Sequence, residues 1–232
     1  MKLFKTPIST PLLTIIVAAV VFLLVQFFGL FLQTANKNIQ NYYKVKSGVA
    51  SDEIIVVEID EDTLSRLGRF PFSRDKYAPV ITHLHDAGAA VIGFDIIFAD
   101  TSDAEADTAF SEAIRSAGNV VLGVFLSPSG AIEKPLDIFA DYALGLGYFH
   151  PIVNPRNNTV YSLSPAKEFR SGERYDHFSM VLLKAYYSYI YGQDYLSYAS
   201  QDEASYSVTP NIKVPLSMPG RNEMLIHFID AA

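Results

Sequence analysis

The sequence contains no cysteine among its 232 residues, which excludes disulfide staples, iron–sulfur clusters and thiolate zinc sites. The compartment stays open, because a domain of this length can be held by its core in either redox environment. Basic residues are scarce. Sixteen Lys and Arg face all 25 acidic residues within positions 33–232, a net charge of −9 for that stretch. A surface of that sign does not neutralise a run of phosphates, so nucleic acid is not an expected partner. The five histidines offer no metal triad, since His83 and His85 are two apart on a predicted helix and His150, His177 and His227 are isolated. Neither a phosphate-binding Gly-x-x-x-x-Gly-Lys-Ser/Thr loop nor a Gly-x-Ser-x-Gly elbow occurs. No cofactor, metal or catalytic residue is expected.

What the sequence does have is one long apolar run. From Leu12 to Leu32, 18 of 21 residues are apolar and none is charged. At 1.5 Å per residue such a helix spans roughly 30 Å, the thickness of a bilayer's hydrocarbon core. The run is too long for a signal-peptide core, and Gln33-Thr34-Ala35 is a poor cleavage site. An uncleaved transmembrane anchor over residues 12–32 is the expectation. Lys2 and Lys5 precede it while Lys37, Lys44 and Lys46 follow, so charge does not choose its orientation.

After a polar stalk over residues 33–50, strand and helix patterns alternate. Ile54–Ile59, Ala90–Phe94 and Val120–Phe125 are β-rich runs of strand length. Tyr77, Val80, Ile81, Leu84 and Ala87 form a helical stripe that Gly88 ends, with Ser73 as a candidate N-cap and Pro79 requiring a start near Tyr77 or a bend. Ala106 to Ala117 forms a second stripe. Two βαβ units imply a parallel sheet with right-handed crossovers. Further strands are expected at Gly145–Phe149, Thr159–Leu163 and Met224–Ile229, an Asn/Pro-rich turn at Asn154–Asn158, and a helix from about Asp176 through Tyr189. The expected fold class is α/β: a mixed, mainly parallel sheet with flanking helices, preceded by one N-terminal transmembrane helix.

Asp60 and Asp95 each end a predicted parallel strand, the edge where open α/β sheets place ligand crevices. Arg74 follows closely enough to hold a carboxylate through paired hydrogen bonds. The competing reading makes Asp60 a cap acting through Thr63, with Asp95 and Arg74 an internal ion pair. Asp103-x-Glu105-x-Asp107 imitates the start of a calcium loop, but Thr108 stands where that loop needs glycine and Ile114 where it needs glutamate. These acids read better as helix N-terminal charges. Tyr186, Tyr187, Tyr189, Tyr191, Tyr195 and Tyr198 crowd one segment and either cover the sheet or form a partner surface. Asn157-Asn-Thr159 fits a glycosylation triplet.

Ile55-Val-Val-Glu-Ile-Asp60, Gly68-Arg-Phe-Pro-Phe-Ser-Arg74, Gly88-Ala89 and Ile92-Gly-Phe-Asp-Ile-Ile-Phe98 follow one another in this order after the apolar run. In these motifs and their order the chain resembles the CHASE type 2 extracellular sensory domain. Phe70 and Phe72 stand where the family carries tryptophans, and the segment around Asn158 lacks the family's Asp-Gly followed by arginine. The resemblance implies an extracytoplasmic input domain of a bacterial receptor, with residues 1–11 cytoplasmic and those from about 33 onward outside. It further implies that this chain is a fragment, its sensory domain (residues 51–232) incomplete at the C-terminus. More membrane helices and an adenylate cyclase, diguanylate cyclase or kinase would then follow beyond residue 232.

The expected function is therefore sensory: a membrane-bound homodimer that takes up a small-molecule or protein signal and controls a cytoplasmic output. Its candidate ligand-binding residues are Asp60, Arg74 and Asp95, walled by Phe70 and Phe72. Because a ligand acts only through different affinity for two states, the domain must have two arrangements. Two rivals stand beside this reading. One is a membrane-anchored envelope hydrolase using Asp60 and Asp95; the other is a structural docking module built on the tyrosine-rich segment.

Overall fold

The computed structural model describes residues 13–29, 51–127, 131–153, 160–198, 200–202, 204–216 and 224–225. The stalk, the turn at 154–158, the glycosylation triplet, His227 and most of the final predicted strand lie outside these residues. The chain divides into two compact units, Met1–Ile55 with His227–Ala232, and Val56–Ile226.

In the first unit residues 13–29 form helix α1, whose apolar side chains are exposed, Phe27 at 69%. Among the described residues no helix is long and apolar enough to cross a membrane. Among the described residues this helix covers 17 residues of the apolar run, about 25 Å; Leu12 and residues 30–32 of the run are not among them.

The second unit is built on a sheet of four strands: β1 (Ile92–Phe94), β2 (Val120–Leu126), β3 (Ile132–Glu133) and β4 (Gly145–Phe149). β2 is its axis. β1 pairs parallel with residues 120–122, β3 antiparallel with residues 125–126, and β4 parallel with residues 121–125. β1 and β3 thus share one edge of β2, and β4 takes the other.

Helices cover both faces of this sheet. On one lie α3 (Tyr77–Asp86) and α4 (Ala104–Ala117). Ile92, Phe94, Val120 and Leu122 point to them and join Phe72, Tyr77, Ile81, Phe98, Phe110, Ile114 and Phe139 in the largest core cluster. On the other face Val121 meets Phe178, Val181 and Ala185 of α6 (Phe178–Tyr191), as the period-two alternation of strand side chains requires. Gly147 lets α6 come this close: a Cβ there would stand 2.5 Å from the backbone Cα of Phe178. α4 is closed by Gly118 in the left-handed conformation at φ 65°, which costs a residue without a side chain little.

The remaining elements are short. Helices α2 (Glu61–Leu67) and α5 (Asp137–Ala140) and a 3-10 turn over Arg74–Lys76 punctuate the loops. Strands β5 (Pro151–Val153), β6 (Val160–Leu163) and β12 (Met224–Leu225) make one antiparallel sheet, and β9 (Ser200–Gln201), β10 (Ser205–Ser207) and β11 (Lys213–Pro215) another. β7 (Ala166–Glu168) and β8 (Arg174–Asp176) form a hairpin.

The α/β class and flanking helices match the expectation, but among the described residues parallel strand pairing is confined to β1, β2 and β4, apart from a single parallel bridge between Tyr148 and His177. The main correction concerns Ile54–Ile59, which forms no strand: among the described residues no strand pairs with it, the Ile54 N–H reaching the Ser51 carbonyl at 3.3 Å instead, and its side chains are exposed, Val56 at 83%. A β-branched run sets a propensity that only a paired neighbour converts into structure. Ser73 precedes the 3-10 turn rather than capping α3, and makes no side-chain cap bond. Pro79 is tolerated because α3 starts at Tyr77, leaving the proline in the first turn, where its missing N–H has no helical partner to lose.

Candidate functional site

The five sequence-derived site residues occupy different environments. Asp60 does not end a strand; it is the N-cap of α2, its Oδ1 accepting from the Thr63 backbone N–H at 2.8 Å and the Thr63 hydroxyl at 2.7 Å. Those bonds, the hydroxyl's foremost, hold its carboxyl below the usual aspartate range. Phe70 is exposed, whereas Phe72 is buried in the main core, with the two rings edge-to-face at 5.9 Å.

Arg74 is enclosed. Its Nε lies 3.1 Å from Asp107 Oδ1, with the side chains only 11% and 7% exposed. The contact is ionic rather than a well-aligned hydrogen bond, since neither atom has a hydrogen-bond partner. Nη2 donates to the Asp100 carbonyl, and the guanidinium lies over the rings of Phe98 and Phe139 at 5.8 and 5.6 Å. The other oxygen of Asp107 accepts from the Ser102 backbone N–H at 3.0 Å. Arg74 therefore joins the start of α3 to the first turn of α4. The ion pair expected with Asp95 is replaced by one with Asp107, because α4 brings that acid against the opening of α3.

Asp95 follows β1 directly and faces solvent on one side; among the described residues it makes no hydrogen bond or ion pair. Partial desolvation raises its carboxyl pKa. No contact joins Asp60, Arg74 and Asp95. Asp103, first of the calcium-like acids, caps α4 through the backbone N–H groups of Glu105 and Ala106.

A second polar cluster escaped the sequence reading. Lys184 lies in α6 with 1% of its side chain exposed, its Nζ 2.5 Å from Asp176 Oδ2 and 2.6 Å from the Tyr198 carbonyl. The ammonium also sits 5.1 Å from the Tyr206 ring centre. The Tyr206 hydroxyl is buried without a hydrogen-bond partner, and burial, then the Asp176 carboxylate, pushes its pKa up. Tyr148 donates to the Ser164 carbonyl at 2.5 Å and is likewise raised by burial. The available signal was a lysine inside the apolar helical pattern Phe178-Ser-Met-Val-Leu-Leu-Lys184-Ala-Tyr. Such a charge is retained only where a partner meets it.

His177, next to Asp176, caps α6 by accepting at Nδ1 from the Ser179 backbone N–H, and its ring stands edge-on to Tyr148 at 5.3 Å. Burial pushes its pKa down to about 4. The unfolded chain, with an ordinary histidine pKa near 6.5, then binds more protons than the folded one between about pH 4 and 6.5. Stability must fall as pH drops through that window. His177→Asn keeps a capping oxygen and is expected to flatten the decline between pH 6.5 and 5, measured by urea midpoints.

Two surface depressions adjoin these clusters, one through Phe169, which packs on Tyr148, and one through Asp75, next to Arg74. One, of about 340 Å³, is lined by Ile132, Lys134, Phe169 and Glu173 among others. The second runs between α3 and α4 past Asp75, His83 and Glu112. The tyrosine segment divides: Tyr186 and Tyr187 are half-buried while Tyr189 and Tyr191 are exposed, with Tyr187 and Tyr191 stacked at 5.8 Å.

Against known proteins, the family model described as CHASE2 domain matches residues 15–231. No curated protein and no solved structure matches the chain.

Proposed function

Because the chain belongs to the CHASE2 domain family, whose members are extracellular sensory domains, we propose that it is the extracytoplasmic input domain of a membrane-bound receptor controlling a cytoplasmic cyclase, diguanylate cyclase or kinase. The observation that carries this reading is the extent of the match, nearly the whole chain from the apolar helix onward. Residues 12–32 anchor the domain, residues 1–11 stay in the cytoplasm, and the acidic remainder faces outward. The anchor is supported by the uncharged run and by the outward apolar side chains of α1, which water penalises and lipid does not.

Among the five candidate residues the roles divide by exposure. Asp60, Asp95 and Phe70 are exposed and meet the signal, while Arg74 and Phe72 hold the loops that carry them. The domain works as a homodimer.

A reporter fused after Tyr43 tests the topology. An enzyme active only outside the cytoplasm is expected to work there, and activity from a cytosol-dependent reporter instead would overturn the proposal. In a receptor carrying this domain, Asp95→Asn is expected to change signal-dependent output at unchanged abundance. Wild-type output would remove Asp95 from the site.

A further inference from the structure

Val56–Ile59 belongs to no helix or strand and makes no backbone hydrogen bonds among the described residues, yet three of its four side chains are β-branched and apolar. Val56 is 83% exposed and Val57 63%. The unit also has an open site of matching form: β1 pairs with β2 along one edge, and among the described residues no strand pairs with its other edge. Such an edge presents unpaired N–H and C=O groups to the next strand that can reach it.

The two stretches match at four of five positions, Glu58 falling opposite Gly93. Val56-Val57-Glu58-Ile59-Asp60 set beside Val91-Ile92-Gly93-Phe94-Asp95 places apolar residues opposite apolar ones and ends both at an aspartate. In that register Val57 and Ile59 would stand on the face of Ile92 and Phe94, which point into the main core. The segment is held within reach, because Leu64, five residues past Ile59, already packs against that same cluster. The connection through α2 and α3 is long enough for a right-handed parallel crossover.

We propose that Val56–Ile59 is a strap that joins the free edge of β1 as a parallel strand in a second state of the domain, the structure holding the released state. Docking would bury the exposed valines and satisfy the β1 edge. It would also set the Asp60 and Asp95 carboxylates side by side, a like-charge cost that opposes it. The two states then lie close enough in free energy for a signal to choose between them. The strap deepens the sensory reading by supplying its two arrangements, and it occupies the stretch that follows the N-terminal helix in sequence.

The absence of cysteine makes the test clean. In the full chain, Val56→Cys with Val91→Cys is expected to close an intramolecular disulfide under mild oxidation, seen as a reductant-sensitive mobility shift of the monomer. Val57→Cys with Val91→Cys, one residue out of register, is expected not to close. Phe125→Cys with Phe149→Cys, opposite each other on β2 and β4, reports that the fold and the oxidation are intact. If this pair closes and the first does not, the strap is overturned. A cross-link formed only between chains overturns it too, in favour of strand exchange with a second copy. In the unmodified chain, amide exchange at Val57–Ile59 is expected to be slower than for free coil, and coil-rate exchange there would refute docking even if a cysteine variant misfolds. A reporter placing residue 43 in the cytosol would end the sensory reading and leave these results standing.

Discussion

Lys184→Met is expected to destabilise the domain by about 3–5 kcal/mol, the cost of breaking a buried ion pair from one side. Methionine fills most of the lysine's volume, so the loss is electrostatic rather than a cavity. It leaves Asp176 with 18% of its side chain exposed and the Tyr198 carbonyl without its donor. The double variant Lys184→Met, Asp176→Leu should recover much of the loss, since replacing both partners by apolar groups is often neutral or better. Denaturant midpoints of wild type, both single variants and the double decide this. Equal losses in Lys184→Met and in the double variant would show that the pair is not what holds α6 to β8 and the 192–198 loop.

The second expectation concerns Arg74, which makes the internal ion pair of the competing reading, with Asp107 in place of Asp95. A ligand-binding arginine should be replaceable at unchanged folding. Arg74→Ala is instead expected to cost about 3–5 kcal/mol, because Asp107, 7% exposed, keeps its charge and loses its cation. Packing against Phe98 and Phe139 is lost as well. Arg74→Lys should recover only part, since an ammonium matches neither the planar stacking nor the divergent contacts to Asp107 and the Asp100 carbonyl. Thermal unfolding of both variants measures it. Asp107→Asn should lose less than Arg74→Ala, as it leaves no buried carboxylate behind. A fully stable Arg74→Ala would return the residue to the candidate ligand set.

The parts of the fold legible in the sequence are those whose local pattern and tertiary burial agree. β1, β2 and β4 come from runs of strand length, β2 being buried on both faces, and α3, α4 and α6 from apolar stripes that end at residues able to stop a helix. Ile54–Ile59 carries an equally good strand pattern but is not paired with any strand in the structure, an outcome no local window reveals. The two- and three-residue strands beyond β4 are set by pairing register alone. At the candidate site, the cap from Asp60 to Thr63 was readable because it is made within three residues. The pairings of Arg74 with Asp107 and of Lys184 with Asp176 depend on helix packing, so sequence gave the residue types without the partners.

β2 has a consequence for how this unit opens. Val120, Val121, Leu122 and Val124 are fully buried, and among the described residues this strand is paired with other strands along both edges. Local unfolding costs most where the fewest groups face solvent. The short outlying hairpins can therefore fray while this strand stays closed, making it the last to melt. The two sides of this strand differ: β4 is fastened to α6, whereas the outer edge of β1 carries no strand among the described residues.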